Sequence, residues 1–397
     1  MFIRVAMSVL SVLLLTRVAP AQAPFVHPGG LHTQVDLDRM ATQVAAGSHP
    51  WLDSWNILIA NPHASLTWTP RPVPIVIRGG SGQNYALLYN DIAAAYACAL
   101  RWYISGDTAY ADKAVEIMNA WSYTLTTITG TSDKFLASGI YGYQFANAAE
   151  IMRLYDGWDP ADFAQFQSMM LTVFYPMNHD FLVNHNGACI SHYWCNWDAS
   201  NMASMISIGV LADREDIFNE AVDYYQNGAG NGSIWNAVYS IYPDNLGQWQ
   251  ESGRDQAHSM LGLGLLATVC EVAWNQGIDL YGYADNRLLA GAEYIAKYNL
   301  GYDVPYTPYD NCDHVNQTTI SAGGRGDIRP IWEQIYNHYV NRMGLDAPYT
   351  QAYAELVRPE GGGGNYGSNS GGYDHLGYGT LTFTRPPSDP SCRTGRD

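Results

Sequence analysis

Between Asn84 and Asn299 the sequence is written almost entirely in pairs of helical segments. LLYNDIAAAYACALRWYISG is followed by DTAYADKAVEIMNAWSYTL, and GIYGYQFANAAEIMRLYDG by DPADFAQFQSMMLTVFYPMNHDFLV. NWDASNMASMISIGVLAD then precedes DREDIFNEAVDYYQNGAG, and ESGRDQAHSMLGLGLLATVCEVAWNQ precedes ADNRLLAGAEYIAKYN. The first member of each pair is rich in Ala, Gly and Ser, which allows close approach of neighbours; the second is more amphipathic and has one face to bury. Hairpins of this kind stack into an inner ring of tightly packed helices and an outer solvated ring. The expectation is an all-α chain folded as an α/α toroid, an incomplete barrel of helical hairpins. Identical repeats are absent, so a solenoid of equal units is not supported.

The flanks complete this reading. LHTQVDLDRMATQVAAG predicts an amphipathic helix with Leu31, Val35, Leu37, Met40 and Val44 on one side, and the Pro-, Gly- and Trp-rich stretch to Gln83 predicts a loop wrapping the body. Beyond Gly301 the pattern loosens before IRPIWEQIYNHYVNRMG gives one more helix, opened by Pro330. GGGGNYGSNSGGYDHLGYGTLTFTRPP reads as a Gly-rich C-terminal tail that docks on the body and ends in a short β-like run. Residues 1–23 have a basic start at Arg4, an apolar run from Val5 to Leu15 and an A-x-A exit at Ala21 to Ala23, the pattern of a secretory signal peptide. The expectation is a secreted, extracellular protein with a single domain over residues 24–397, because no later stretch is long and apolar enough to span a bilayer.

Secretion makes the six cysteines disulfide material, and Cys189 with Cys195, flanking the loop ISHYW, is the pair expected first. Two sequons, at Asn231 and Asn316, would be surface glycosylation sites in a eukaryotic host. The formal charge of −17 argues against nucleic acid or an anionic membrane as partner, and an anionic substrate would need a local cationic cleft. An excess of amphipathic rings, 29 Tyr and 12 Trp, suits the stacking of sugars, although most of these rings are expected to be core.

Three polar clusters stand at the openings of the presumed inner helices, which a toroid brings to one end. In QWQESGRDQAHSMLGLGLL, Ser252 and Asp255 read as a capping box that starts a helix. Arg254 and His258 are then four positions apart on one helical face, Met260, Leu261, Leu265 and Leu266 face the core, and Gly262 and Gly264 permit close packing. A guanidinium, an imidazole and free backbone N–H groups on one helical turn form an anion site. The second cluster is His192, Tyr193, Asn196 and Asn201; the third is Arg329 with Tyr336, seven positions on. Plainer roles compete: Asn196 as a helix cap, His258 as a core histidine, Arg329 paired with Glu333, Tyr336 as packing.

No H-E-x-x-H, G-x-S-x-G, Walker or Rossmann motif occurs, and a zinc site built from His185, His192, His258, His314 and His375 has only scattered ligands to offer. A glycoside hydrolase would need two carboxylic acids across the scissile bond, for which Glu251, Asp255 and Asp198 are candidates. A polysaccharide lyase would need a group that neutralises a uronate carboxylate, a base for the C5 proton and an acid for the leaving oxygen, roles suited to Asn, Arg, His and Tyr. A non-catalytic carbohydrate-binding protein would use aromatics and Arg, but has no need of a proton-moving His and Tyr.

Asn196-Trp197 followed by ASNMASMISIGVLADR, QESGRDQAH from Gln250 to His258, WNQGIDLYGYADNRLLAGAEYIAKYNLG, RPIWEQIYNHYVNRMG and RPEGG together resemble the alginate lyase superfamily, most nearly polysaccharide lyase family thirty-eight, whose members act on glucuronan or alginate. The resemblance spans about Leu31 to Thr384. It implies cofactor-free, metal-independent β-elimination on a β-1,4-linked polyuronide by a protein expected to be a monomer. It also implies roles: Asn196 neutralises the substrate carboxylate, His258 takes part in proton abstraction, Tyr336 is the acid, or both base and acid, and Arg254 and Arg329 hold carboxylates. Trp197, His192, Gln250 and Tyr193 would contact the sugar chain. The N-N-H motif common in related alginate lyases is absent, replaced by Asn184-His185 and the cluster from His192 to Asn196.

Overall fold

The computed structural model describes residues 24–359 and 373–386. The expected signal peptide and most of the Gly-rich stretch lie outside the described residues. Helices α1 (Gln34–Ala45) and α2 (Trp51–Ala60) lead into a short strand β1 (Ile75–Arg78). The hairpins follow as α3 (Ala86–Ser105) with α4 (Thr108–Ser122), then, after β2 (Thr127–Gly130), α5 (Lys134–Met152) with α6 (Pro160–Met169) and α7 (Tyr175–Asn184). Next come α8 (Cys195–Leu211) with α9 (Glu215–Asn227), a short α10 (Ile234–Ala237), and the antiparallel strands β3 (Val238–Tyr242) and β4 (Leu246–Trp249). The series ends with α11 (Gln256–Asn275), α12 (Tyr283–Asn299), α13 (Trp332–Tyr336), α14 (Pro348–Val357) and α15 (Gly379–Phe383). Strands β1 and β2 pair in parallel, Ile75 opposite Thr127.

Composition sorts the helices into layers. Every residue of α8 is buried, as are nearly all of α5 and α11, which is possible only for helices whose whole circumference is apolar or small. In α9 only Ile217, Phe218, Ala221 and Tyr225 are buried, as for a helix that faces water. Inner helices α5 and α8 run side by side in the same direction: Gly139 and Gly142 meet Ser200 and Ser204, and Asn147 Nδ2 donates to Ser207 Oγ at 3.0 Å. A side chain at Gly142 has no room, so the small-residue pattern is what sets this helix separation. Gly264 does the same for α11 against Ile331 and His375.

Several expectations are corrected here. Helix α11 begins at Gln256, capped by Asp255, whose carboxylate accepts the His258 N–H at 2.8 Å; Ser252 lies in the turn before it and is no cap. In α1, Leu37 and Met40 are buried but Val35 is exposed. The β-like run TLTF is helix α15, because this segment packs among α1, α2 and α13 with no strand beside it to pair with. The disulfide joins Cys189 to Cys312, and Cys195 is a buried free thiol at the first position of α8, pointing toward Gly262. Cys195 is held in the helix, whereas Cys312 reaches Cys189 from the long segment between α12 and α13. Of the two sequons, Asn316 is exposed but Asn231 is buried, its amide donating to the carbonyls of Ser191 and Tyr193.

The described end of the tail lies inside the ring. Tyr143 Oη donates to the Asp374 carbonyl at 2.8 Å, Gln144 Nε2 to the Tyr373 carbonyl at 2.6 Å, and Arg39 to the Thr382 carbonyl at 2.8 Å. Residues 374–384 are buried, packed against α1, α2, α5, α11 and α13.

Candidate active site

The inner helices bring the openings of α8 and α11 together, and the group that joins them is Glu251. This carboxyl has no solvent exposure. It accepts Asn196 Nδ2 at 2.6 Å, the Asn196 backbone N–H at 3.1 Å and Arg254 Nη1 at 2.8 Å. Burial pushes its pKa up, and Arg254, His258 and the Asn196 donors work in the opposite direction. Gln250, the preceding residue, caps the same helix opening from outside by accepting the Cys195 N–H at 3.0 Å.

His258 stands on the first turn of α11. Its Nδ1 is 2.7 Å from Asp255 Oδ2, and its Nε2 is 3.2 Å from Arg254 Nη2. A guanidinium can only donate, so Nε2 carries the lone pair and Nδ1 the proton, which Asp255 accepts. Asp255 is partly buried, which raises its pKa, but the two hydrogen bonds from His258 and the charge of Arg254 hold it below the ordinary carboxylate range. The result is a half-exposed imidazole whose basic nitrogen faces a guanidinium, with the ring fixed by a carboxylate behind it. Arg254 also lies over the Trp194 ring, 5.5 Å from its centroid.

Of the residues picked from sequence, Asn196, Gln250, Arg254 and His258 therefore form one cluster. Trp197 and Tyr193 are close by but buried, their rings 4.6 Å apart and packed on Phe181, so they support the opening of α8 from beneath. His192 is exposed and pairs with Asp313, 2.5 Å away, beside the disulfide. Asn201, nearly two turns into α8, is buried and accepts from Asn178 Nδ2 at 2.8 Å.

Arg329 and Tyr336 do not share a helical face, since α13 starts at Trp332. Arg329 is buried, and its partner is Asp374 of the tail, 3.0 Å away, rather than Glu333. Glu333 is held instead by Arg358 and Asn337, and Tyr336 lies under Arg358, 5.6 Å from its ring. Helix α13 meets α11 where Gln334 Nε2 donates to the Ala267 carbonyl, nine residues beyond His258 and so about 13 Å along that helix. Tyr336 belongs to this deeper, separate cluster.

The structure adds two phenols that the sequence did not single out. The Tyr306 hydroxyl lies against Gly253, next to Arg254, and donates to the Gln317 carbonyl at 2.9 Å. Tyr309 packs its ring 6.2 Å from Trp194 and donates to Asn231 Oδ1 at 3.0 Å. Burial raises both phenols, Tyr306 to about 12, so each holds its proton at neutral pH. They sit in a long segment without periodicity, where no pattern marks a side chain as facing a cleft.

The histidines considered for zinc are dispersed: His185 faces Asp198, His192 Asp313, His258 Asp255 and His314 Asp310, while His375 is buried in the tail. The carboxylates considered for hydrolysis are already occupied. Glu251 is enclosed, Asp255 caps α11, and Asp198 accepts from Gly232 N–H and Tyr224. None of these pairs faces another across open space in the way an acid and a nucleophile must. A groove of about 430 Å³ opens between β2, α5 and α7, but none of its lining residues belongs to the Glu251 cluster.

Known structures share this architecture. An alginate lyase from Bacteroides ovatus superposes with a TM-score of 0.60 at 14% identity, over 86% of this chain and 97% of that one. Alginate lyase A1-III from Sphingomonas species A1 gives 0.58 at 14% identity, over 92% and 98%, and a variant of A1-III complexed with a tetrasaccharide gives 0.59 at 16%, over 89% and 95%. No curated protein matches the chain. The helical toroid, together with the family match over residues 76–303, is that of a polysaccharide lyase. Residues 76–303, more than half of the chain, match the alginate lyase family, and the chain belongs to it.

Proposed function

We propose that this protein is a secreted enzyme that cleaves a β-1,4-linked polyuronide, glucuronan or alginate, by metal-independent β-elimination. The observation that carries the reading is that Asn196 and Arg254 converge on the buried Glu251 carboxylate at the openings of two inner helices, and that the same Arg254 reaches His258 Nε2. Arg254 and Asn196 supply donors to a uronate carboxylate, and that interaction strengthens as negative charge spreads onto the carboxylate when C5 loses its proton. His258 Nε2 is the base that takes the proton. The electron pair left on C5 forms the C4–C5 double bond, the bond from C4 to the glycosidic oxygen breaks, and a phenol protonates that oxygen. Tyr306 and Tyr309 flank the cluster, which makes them better placed for this last step than Tyr336.

The test is an ultraviolet absorbance time course against glucuronan, polymannuronate and polyguluronate, with chelator present throughout. A rise reports the conjugated double bond that elimination alone creates, and the polymer that responds names the uronic acid. New reducing ends without a rise would overturn the reading in favour of hydrolysis. Loss of the signal in chelator would overturn the metal-independent step.

A further inference from the structure

Tyr306 and Tyr309 lie in the stretch between α12 and α13, which is irregular apart from a bridge between Tyr309 and Gln317. A phenol that protonates a leaving oxygen has to be held within hydrogen-bond reach of it, and no helix or sheet ladder does that here.

One side chain supplies what the backbone lacks. Gln248, on β4, is completely buried. Its Oε1 accepts the Thr307 backbone N–H at 2.7 Å, and its Nε2 donates to the Thr307 carbonyl at 2.8 Å. The carboxamide thus pairs with Thr307 as a residue of a neighbouring strand would. Its other two positions are filled as well: Oε1 accepts Tyr242 Oη at 2.6 Å, and Nε2 donates to the Tyr239 hydroxyl. With two donors and two acceptor sites all in use, a single orientation of the amide satisfies the network. Tyr239 Oη donates onward to the Thr307 carbonyl at 2.8 Å, and Tyr242 Oη stands 2.6 Å from Thr307 Oγ1.

The clamped residue stands between the two phenols. Tyr309 exchanges both backbone hydrogen bonds with Gln317, at 3.0 and 2.7 Å, and the Gln317 carbonyl also accepts Tyr306 Oη at 2.9 Å. Holding Thr307 therefore holds both rings. The chain that provides the clamp continues directly into the rest of the site. Gln250 accepts the Cys195 N–H, and Glu251 holds Asn196 and Arg254. Four consecutive residues, 248 to 251, thereby fix the phenols with one side chain and the carboxylate-binding groups with another.

We propose that Gln248 is a positioning residue of the elimination: enclosed and away from substrate, it sets Tyr306 and Tyr309 where one of them protonates the departing glycosidic oxygen. The proposal rests on the polyuronide reading above and on its acid being one of these two phenols.

The test compares wild type with Gln248→Met, which keeps the length of the side chain and removes its hydrogen bonds. The control is Gln334→Met, a second buried amide, bonded to the Ala267 carbonyl and the Tyr281 hydroxyl. Two substrates are used, the responsive polymer and a uronoside carrying a 2,4-dinitrophenoxy group at C4. In the second, the base takes the C5 proton, the electron pair forms the C4–C5 double bond, and the phenolate departs without needing a proton. Gln248→Met is expected to lower kcat on the polymer about ten- to a hundredfold, with KM within about twofold of wild type. On the aryl substrate its loss should stay within about twofold, since the acid is not called on. Gln334→Met should melt at a lower temperature and turn over both substrates at the wild-type rate.

Equal losses on the two substrates would show that Gln248→Met disturbs the whole cluster, and a polymer kcat within about twofold of wild type would show that it disturbs nothing; either overturns the proposal and leaves the lyase reading standing. So does full turnover in both Tyr306→Phe and Tyr309→Phe. A wild type that creates no double bond in any polyuronide removes the lyase reading, and the role of Gln248 with it. If Gln248→Met does not fold, Gln248→Glu decides. The titratable groups bonded at this position are the phenols of Tyr239 and Tyr242, and burial raises the pKa of a carboxyl placed there. Protonated, the carboxyl donates to the Thr307 carbonyl and accepts its N–H; ionised, it can only accept. The ratio of variant to wild-type kcat should therefore approach one at the acid end and fall as pH rises, and a ratio that is low and level with pH overturns the clamp.

Discussion

Glu251 illustrates how one side chain can serve a site without touching substrate. Its buried charge is compensated by Arg254 and by two donors from Asn196, so it holds in place the two groups proposed to bind a carboxylate. Glu251→Gln keeps the shape but removes the charge and turns an N–H₂ toward Asn196 or Arg254, which are themselves donors. The expected outcome is a fall in kcat/KM of at least about tenfold and a stability loss of about 1–3 kcal/mol, read by rate assays and by urea titration. His258→Ala should remove most turnover while leaving the melting temperature nearly unchanged, because the imidazole is half-exposed; near-normal turnover would remove it from proton transfer. Tyr306→Phe and Tyr309→Phe are expected to cost more turnover than Tyr336→Phe, and the reverse order would return the acid to Tyr336. That Asn196, Arg254 and His258 would lie together was legible in the sequence, because all three stand at the openings of small-residue helices. The use of Glu251 was not, because a carboxylate 55 residues from Asn196 reads as an acid until the fold lays the two helix openings side by side.

At the scale of elements, what was local was legible and what was long-range was not. Periodicity found the hairpins, since a helix is decided by residues three and four apart. The disulfide partner of Cys189 is 123 residues away, so nothing in its neighbourhood could point to Cys312. The β-branched residues of TLTF favour a strand, but burial against α1, α2 and α13 outweighs that preference. The Cys189–Cys312 bridge ties the loop ahead of α8 to the segment that carries Tyr306 and Tyr309, supported by the Cys312 N–H on Ser191 Oγ at 2.9 Å. Cys312→Ser is expected to cost about 2–4 kcal/mol, chiefly by freeing a long loop in the unfolded chain, and to reduce turnover by loosening those tyrosines. Peptide mapping without reductant should recover residues 189 and 312 in one linked fragment, and activity indifferent to Cys312→Ser would detach that segment from the site.

The described end of the tail ties several helices together, and buried groups around it titrate. Arg385 reaches Asp36 at 2.6 Å and, at 3.6 Å, Glu271, which also takes Arg342 at 2.9 Å. His32 packs its ring 5.3 Å from Phe383, His375 lies within the tail, and His338 stacks on Tyr281 at 3.7 Å beside Arg342. Burial pushes all three imidazoles down: His32 to about 4, where Asp36 and Glu271 offset only part of the cost of a buried cation, and His338 and His375 further through the nearby charges of Arg342, Arg385 and Arg329. A base whose folded pKa lies below its unfolded value binds protons preferentially when unfolded, so its neutral burial is fully tolerated above about pH 6.5 and is penalised as pH falls from there toward 4. For His32 alone the interval corresponds to about 3 kcal/mol. Asp36 has the opposite charge but the same sign of effect. Burial raises its pKa, yet Arg385 and Arg39 hold it far below the ordinary carboxylate range, so its contribution is present above about pH 4 and is lost below. Acid therefore acts on the tail in two stages, first through the imidazoles and then through the Asp36 ion pairs. The melting temperature should fall steadily from pH 6.5 to 4 and more steeply below, and His32→Gln should flatten the first part of that slope. A melting temperature that is level from pH 7 to 4 would show that these imidazoles do not set the stability of the packed tail.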